Sequence, residues 1–177
     1  NKLKGNNYIN DAIKNGSKII ISNLNFEGFN KEKILFIKNK NPRKALADAA
    51  SNFYKKKPKN IIAITGTNGK TSIANFFYQI LSLSKKKAAA VGTLGVLSKK
   101  VNLKTNNTTI DPIKMHQILQ KLKNSNIDNV IIEASSHGLK QHRLDGLNLK
   151  TALFTNLTRD HLDSVSYTHL RAHETHT

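Results

Sequence analysis

The sequence predicts an α/β protein in which a small α/β unit precedes a larger unit built on a doubly wound, mainly parallel sheet. Two observations support this prediction. Short apolar runs rich in β-branched residues alternate with longer segments whose apolar residues recur at helical spacing. A glycine-containing segment, residues 65–71, also separates one such run from the helix that follows it. Alternation of this kind is typical of parallel sheets covered by helices.

The first unit is predicted to span residues 1–57. Its expected elements are a helix, two strands and a second helix, at residues 9–15, 18–21, 34–37 and 43–54. Gly16 ends the first helix, and Asn41-Pro42 provides an N-cap and a proline for the second. The apolar face of that second helix is predicted to consist of Leu46, Ala49, Ala50 and Phe53. The polar segment 55–60 contains a proline and marks the boundary between the units.

The second unit is predicted to span residues 58–163. Fully apolar runs at 61–64, 88–91, 130–132 and 152–154 indicate buried strands. A helix is expected at 72–83, with Ile73, Phe76, Phe77, Ile80 and Leu81 at helical spacing. Another begins at Asp111-Pro112 and runs to about Lys123; its inward side chains are expected to be Ile113, Leu119 and Leu122.

Composition restricts the class of protein. The chain has 177 residues, no cysteine and no apolar run long enough to span a bilayer, so disulfides, thiolate chemistry and membrane insertion are not expected. We expect a cytoplasmic protein. The net charge is +18, but only four of the 29 basic residues are arginine and they are not interleaved with aromatic residues. Because base readout favours arginine, we expect no nucleic-acid partner.

The segment after the strand at 61–64 has the residues of a phosphate-binding loop. It reads Thr65, Gly66, Thr67, Asn68, Gly69, Lys70, Thr71, and a helix follows directly. Glycines let backbone N–H groups turn toward an anion, and a helix N-terminus attracts negative charge. Lys70 would reach nucleotide phosphates and the Thr71 hydroxyl would bind Mg²⁺. The generic loop has a glycine where this chain has Ile64, but the segment still predicts nucleotide binding.

Polar residues follow other predicted strands, and ligands collect at the carboxyl ends of parallel strands. Glu133 and the segment 135–138 follow one strand, Thr155-Asn156 and residues 159–163 follow another, and residues 106–109 precede a helix. Glu133 is either a capping residue or a Mg²⁺ ligand. His161, next to Asp160, is either a surface histidine or a group that holds a metal or a water.

Five motifs in one order resemble the Mur ligases of peptidoglycan synthesis. They are TGTNGKT at 65–71, NTT at 107–109, EASSHGL at 133–139, QHR at 141–143 and FTNLTRDHLD at 154–163. The combination is most similar to the members that add the third amino acid, diaminopimelate or lysine, to the peptide. The first unit resembles the uridine-binding domain of that family.

The resemblance implies an ATP-dependent ligase that joins a diamino acid to the D-glutamate of UDP-N-acetylmuramoyl-dipeptide through an acyl phosphate. ATP would bind to residues 65–71, and Mg²⁺ would be held by Thr71, Glu133 and His161. Catalytic roles fall on Lys70, Glu133 and His161. Contacts to the UDP-muramoyl-peptide fall on Asn107, Thr108, Thr109, Ser135, Gln141 and Arg143. A monomer is expected.

The resemblance also implies that both units are truncated and that the chain alone is inactive, because family members continue beyond residue 163. Residues 164–177 do not fit the family and are expected to be a non-native tail resembling a translated adapter sequence. Two alternatives remain. One is a ligase similar to folylpolyglutamate synthase, which shares the loop but not the SSHGL and QHR motifs. The other is a nucleotide-binding or RNA-binding module without ligase activity.

Overall fold

The computed structural model describes residues 5–105 and 107–157, which form two sheets with helices packed on them. A 3₁₀ turn at Gly5–Tyr8 leads into the first helix. The helices are α1 Ile9–Lys14, α2 Pro42–Phe53, α3 Lys70–Leu83, α4 Pro112–Asn124 and α5 Ser136–Lys140. The strands are β1 Ile19–Ser22, β2 Gly28–Phe29, β3 Leu35–Lys38, β4 Asn60–Thr65, β5 Ala88–Gly92, β6 Gly95–Leu97, β7 Asn129–Glu133 and β8 Thr151–Phe154.

The first sheet is small and has the order β1-β3-β2. Strands β1 and β3 are parallel, and the two-residue strand β2 is antiparallel to β3. Its core consists of Ile20, Ile34 and Phe36, with side chains of α1 packed against them. The boundaries predicted for α1, β1 and β3 each agree with the structure to within one residue. Strand β2 is too short to give a periodic signal.

Helix α2 begins where the sequence predicted, because the Asn41 side chain accepts a hydrogen bond from the Lys44 N–H and proline follows the cap. Its predicted apolar face is wrong in part. Ala50 is buried, but Ala49 is exposed, and Leu46 and Phe53 are 45% and 78% exposed. The buried side chains are Ala47 and Ala50, and this small-residue face packs against α4. Small side chains let two helix backbones approach closely, which larger ones would prevent.

The second sheet has the order β6-β5-β7-β4-β8. The neighbouring strands β5, β7, β4 and β8 run parallel, and β6 at the edge is antiparallel to β5. Alternate residues of β4 face opposite sides: Ile61 and Ala63 join the core under α4, whereas Ile64 joins the core under α3. With helices on both faces, the doubly wound, mainly parallel sheet is confirmed.

The buried faces of α3 and α4 differ from the predictions. In α3 only Ala74 is buried; Phe77 and Leu81 are half-buried, and Ile73, Phe76 and Ile80 are 39%, 58% and 61% exposed. In α4, Leu119 and Leu122 are buried as predicted, but Ile113 is 44% exposed. The rest of the α4 core face consists of Pro112, Met115, His116 and Ile118.

Two short elements of the second sheet region, β6 and α5, are absent from the sequence prediction. Both have five residues or fewer, so neither repeats an apolar pattern long enough to be read. Among the described helices, none combines the length and apolarity required to cross a bilayer.

Candidate functional site

The turn between β4 and α3 has the geometry that an anion requires. Gly66 and Gly69 have φ angles of +130° and +86°, which L side chains rarely adopt. Gly69 caps α3 without a side-chain hydrogen bond, so the first N–H groups of the helix face outward from its end. Ile64, which replaces the first glycine of the generic loop, is fully buried in β4. Strand β4 therefore continues through Ile64, the position of the first glycine in the generic loop, and the chain turns at Gly66.

Two residues after β8 hold this loop in place. The Thr67 N–H donates to the Asn156 carbonyl at 2.9 Å, and the Asn68 N–H donates to Asn156 Oδ1 at 3.0 Å. The Thr155 hydroxyl donates to the Asn68 carbonyl at 2.7 Å. A Cβ atom on Gly66 would lie 2.1 Å from Thr155 Oγ1, so a glycine is required there by contact as well as by backbone angle.

Lys70 lies at the first position of α3 and folds back over the loop. Its Nζ donates to the carbonyl oxygens of Gly66 at 2.6 Å and Thr67 at 2.9 Å. The ammonium group is thus already placed beside the turn that would surround a phosphate. A phosphate in the turn would offer the ammonium group more strongly charged acceptors than these carbonyl oxygens.

Glu133 ends β7 and points toward the same turn. The side chain is 2% exposed and accepts three hydrogen bonds. Oε2 accepts from the hydroxyls of Thr71 at 2.8 Å and Thr93 at 3.1 Å, and Oε1 accepts from the Thr93 N–H at 3.0 Å. A buried carboxylate of this kind is stable only because its oxygens are so fully hydrogen-bonded.

Gly92 makes room for this carboxylate. A Cβ atom at position 92 would lie 2.1 Å from Glu133 Oε1 and within 2.5 Å of two of its carbon atoms. The parallel pairing of β5 with β7, with Val91 opposite Ile132, places the last residues of the two strands side by side. Neither Gly92 nor Thr93 was identified from the sequence, because only the strand order brings them to Glu133.

A second group of predicted residues meets around Thr109, which is buried. Its hydroxyl lies 2.9 Å from the Glu133 carbonyl and 3.0 Å from Ser135 Oγ, and it accepts from the Ser135 N–H at 2.8 Å. Arg143 donates through Nη1 to the Thr109 carbonyl and through Nε and Nη2 to Gln141 Oε1 at 3.0 and 2.7 Å. Ser135 also caps α5 by accepting from the Gly138 N–H.

Among the residues predicted to converge, Thr108, Thr109, Glu133 and Ser135 are joined by contacts at one end of the sheet. Thr155 and Asn156 contact the loop at the same end. Thr108 reaches the Glu133 group through Thr93, since the two threonine hydroxyl oxygens are 3.0 Å apart. Asn107 is exposed beside them, and its carbonyl lies 3.4 Å from Thr105 Oγ1. Asn106, Arg159, Asp160 and His161 lie outside the described residues.

The hard oxygen atoms at this site fit Mg²⁺ chemistry. The Thr71 hydroxyl and a Glu133 carboxylate oxygen are 2.8 Å apart at the mouth of the loop. Mg²⁺ commonly takes one or two protein oxygens and completes its octahedron with phosphate oxygens and water. Within residues 5–105 and 107–157, no group of three or more His, Cys, Asp or Glu side chains is arranged to hold a metal ion.

Comparison with known proteins decides the family. The model of the Mur ligase middle domain matches residues 64–171, more than half of the chain. The chain belongs to the Mur ligase family. The match begins at the end of β4, includes the loop, Glu133 and Arg143, and extends into the segment predicted to be a non-native tail.

Two relatives within the family are named as diaminopimelate-adding ligases. The UDP-N-acetylmuramoyl-L-alanyl-D-glutamate–2,6-diaminopimelate ligase of Rhizobium meliloti (strain 1021) is 41% identical over 162 residues, which is 92% of this chain and 33% of that protein. The ligase of the same name from Rickettsia prowazekii (strain Madrid E) is 39% identical over 165 residues, 91% of this chain and 34% of that protein. The chain thus spans about a third of the length of these relatives.

The fold agrees with this family. A solved structure of a UDP-N-acetylmuramoyl-L-alanyl-D-glutamate–2,6-diaminopimelate ligase matches with a TM-score of 0.74 and 29% identity. The match covers 88% of this chain and 31% of that one. The expected Mur ligase fold is therefore confirmed for the described part of the chain.

Proposed function

We propose that this chain forms part of an ATP-dependent ligase that adds meso-diaminopimelate to the D-glutamate of UDP-N-acetylmuramoyl-L-alanyl-D-glutamate in peptidoglycan synthesis. The observation that supports it best is the pairing of Thr71 with Glu133 at a phosphate loop, beside the cluster of Thr109, Ser135 and Arg143. The similarity to ligases that are named for that activity supports the choice of substrates. L-Lysine is the alternative diamino acid.

In the proposed reaction, a carboxylate oxygen of D-glutamate attacks the γ-phosphorus of ATP, and ADP leaves. The product is an acyl phosphate. The amino group of the diamino acid then attacks the acyl carbon, and the tetrahedral intermediate expels inorganic phosphate and loses a proton to form the amide. Activation is required because a carboxylate oxygen is a poor leaving group until it bears a phosphoryl group.

Residues of this chain stabilise charge on the nucleotide side. Residues 65–71 would surround the phosphates, and the Lys70 ammonium would neutralise charge on the phosphoryl group during transfer. Thr71 and Glu133, with His161 in the same proposed role, would hold Mg²⁺. That ion supplies electrostatic stabilisation of the phosphate oxygens. Lys70, Glu133 and His161 are the proposed catalytic residues.

The substrate side is assigned to the loops beside the nucleotide. We assign contacts with the UDP-muramoyl-peptide to Asn107, Thr108, Thr109, Ser135, Gln141 and Arg143. The guanidinium group of Arg143 is already fixed by the Thr109 carbonyl and by Gln141, so little rotamer freedom would be lost when it binds an anionic substrate group.

The division of the chain is part of the same proposal. Residues 1–57 would form part of the UDP-substrate domain, residues 58–163 part of the central ATP-binding domain, and residues 164–177 a non-native tail. A monomeric, cytoplasmic enzyme is proposed. Because the chain spans about a third of its relatives, we expect the 177 residues alone to form no product from ATP, UDP-muramoyl-dipeptide and diaminopimelate.

Ligand binding by the chain tests the proposal directly. Calorimetric titration should detect binding of Mg·ATP and of UDP-N-acetylmuramoyl-L-alanyl-D-glutamate. Lys70→Ala should weaken the first interaction and Arg143→Ala the second, because each removes the charge that meets the ligand. Lys44→Ala is the matched control for charge loss, since Lys44 lies on α2 and pairs with Asp48.

Two results would contradict the proposed function. One is the absence of any affinity for the muramoyl-peptide. The other is tight RNA binding, measured at two salt concentrations, that survives Lys70→Ala, because this would support a nucleic-acid-binding module instead.

A further inference from the structure

Thr93 occupies the turn between β5 and β6, and its side chain contacts both halves of the site. Its hydroxyl oxygen lies 3.1 Å from Glu133 Oε2 and 3.0 Å from Thr108 Oγ1. Its backbone N–H also donates to Glu133 Oε1 at 3.0 Å. Glu133 in turn accepts from Thr71 in the nucleotide loop at 2.8 Å. One residue therefore lies between the group proposed for the nucleotide and the segment proposed for the substrate.

The direction of these hydrogen bonds follows from counting protons. A carboxylate accepts only, and a threonine hydroxyl donates one proton. The Thr93 hydroxyl therefore donates to Glu133, and its oxygen accepts the proton of the Thr108 hydroxyl. The Thr71 hydroxyl donates to the same Glu133 oxygen. A chain of hydroxyl groups thus runs from Thr108 through Thr93 to the carboxylate, and a rotation of any member changes the partner available to the next.

The backbone around Thr93 strengthens this connection. The Gly92 carbonyl accepts from Thr105 Oγ1 at 3.0 Å, so the segment that leads to Thr108 is attached to the same turn at a second point. Gly92 also leaves the space that the Glu133 carboxylate fills. Glu133, the turn at Thr93 and Thr105 are thus joined by direct contacts.

We propose that Thr93 is a positioning residue that couples the nucleotide site to the muramoyl-peptide site through Glu133 and Thr108. Binding of a nucleotide at Thr71 and Glu133 then orders Thr108 for the peptide, and binding of the peptide orders Glu133 for the nucleotide. Such coupling is reciprocal, so each ligand tightens binding of the other by the same factor. The inference rests on the proposed function.

The test measures this factor in the 177-residue chain. The dissociation constant of UDP-N-acetylmuramoyl-L-alanyl-D-glutamate is determined by calorimetry with and without Mg²⁺ and a non-hydrolysable ATP analogue. We expect the analogue to tighten binding about fivefold or more in the wild type. In Thr93→Val, which keeps the branched shape and loses the hydroxyl, we expect a factor close to 1. Thr93→Ser should retain the wild-type factor.

Thr105→Val is the matched control. It removes a hydroxyl that bonds the same turn but does not touch Glu133, so general loosening of the turn would lower the factor in both variants. The proposal requires a larger loss in Thr93→Val than in Thr105→Val. An unchanged factor in Thr93→Val, equal losses in both variants, or a wild-type factor of 1 would overturn it.

A second measurement separates this inference from the proposed function. The free energy of unfolding in urea is measured for Thr93→Val, Thr108→Val and the double variant, without any ligand. Because the two hydroxyls are in contact, the effects should be non-additive, and additive effects would overturn the proposed connection. A wild-type chain that binds neither ligand would contradict the proposed function, and this cycle would still decide whether Thr93 joins the two segments.

Discussion

Replacement of Gly92 by alanine should weaken both the proposed nucleotide site and the stability of the fold. The added Cβ would lie 2.1 Å from Glu133 Oε1 and 2.4 Å from its Cδ, so the carboxylate must move. No strained backbone angle is involved, because Gly92 does not have a positive φ. Filling an already packed position costs about 1–3 kcal/mol, and losing one hydrogen bond to a charged acceptor costs about 1.5–3 kcal/mol.

From these figures we expect the free energy of unfolding to fall by about 2 kcal/mol, since the carboxylate can recover part of its hydrogen bonding from water. The affinity for Mg·ATP should fall about 10- to 100-fold, because one lost charged hydrogen bond corresponds to one or two factors of ten. Urea denaturation and calorimetric titration measure the two effects.

Gly5→Ala is the control for this experiment, because a Cβ at Gly5 meets no atom within 4 Å. It should leave both quantities unchanged. If Gly92→Ala binds Mg·ATP as tightly as the wild type, the orientation of Glu133 does not matter for the nucleotide, and the assignment of Glu133 to the metal is wrong.

Three further predictions follow from the geometry. Gly66→Ala should abolish measurable ATP binding, because the new side chain meets Thr155 Oγ1 at 2.1 Å and φ is +130°; retained affinity in a titration would contradict this. Arg143→Lys should weaken muramoyl-peptide binding about tenfold, since a lysine cannot reproduce the planar fork; equal affinity would refute the role. Burial lowers the pKa of His116, so the unfolded chain takes up a proton below about pH 6.5 while the folded chain does not. Stability should therefore decline as pH falls below about 6.5, and His116→Met, but not the exposed His137→Gln, should reduce that decline in urea midpoints.

The parts of the site that the sequence predicted are those attached to strong local patterns. The loop at 65–71 follows a fully apolar run and precedes a helix, so its position is readable without any tertiary contact. Glu133 and Ser135 follow another apolar run, and the rule that parallel strands end at one edge is enough to bring them toward the loop.

Other residues could not be predicted because their roles depend on which strands are neighbours. Thr93 meets Glu133 only because β5 pairs with β7. Asn156 was expected at the same sheet edge, but its hydrogen bonds to the loop depend on the pairing of β8 with β4, which the sequence does not specify. The predicted buried faces of the helices were wrong in part for a related reason. The apolar residues Leu46 and Phe53 suggest one buried face of α2, but the partner helix α4 selects the face with Ala47 and Ala50.

The strand order also places a single carboxylate beside both proposed ligand sites. Strand β7 lies between β4, which leads into the nucleotide loop, and β5, which leads to Thr93. The last residue of β7 therefore has the proposed phosphate loop on one side and the segment proposed for the substrate on the other. If β5 and β7 exchanged places, Glu133 would lose Thr71 as a neighbour, and the hydroxyl chain from Thr108 would end at Glu133 without reaching the loop at 65–71. The central position of β7 is thus the feature of the fold on which both the proposed chemistry and the proposed coupling depend.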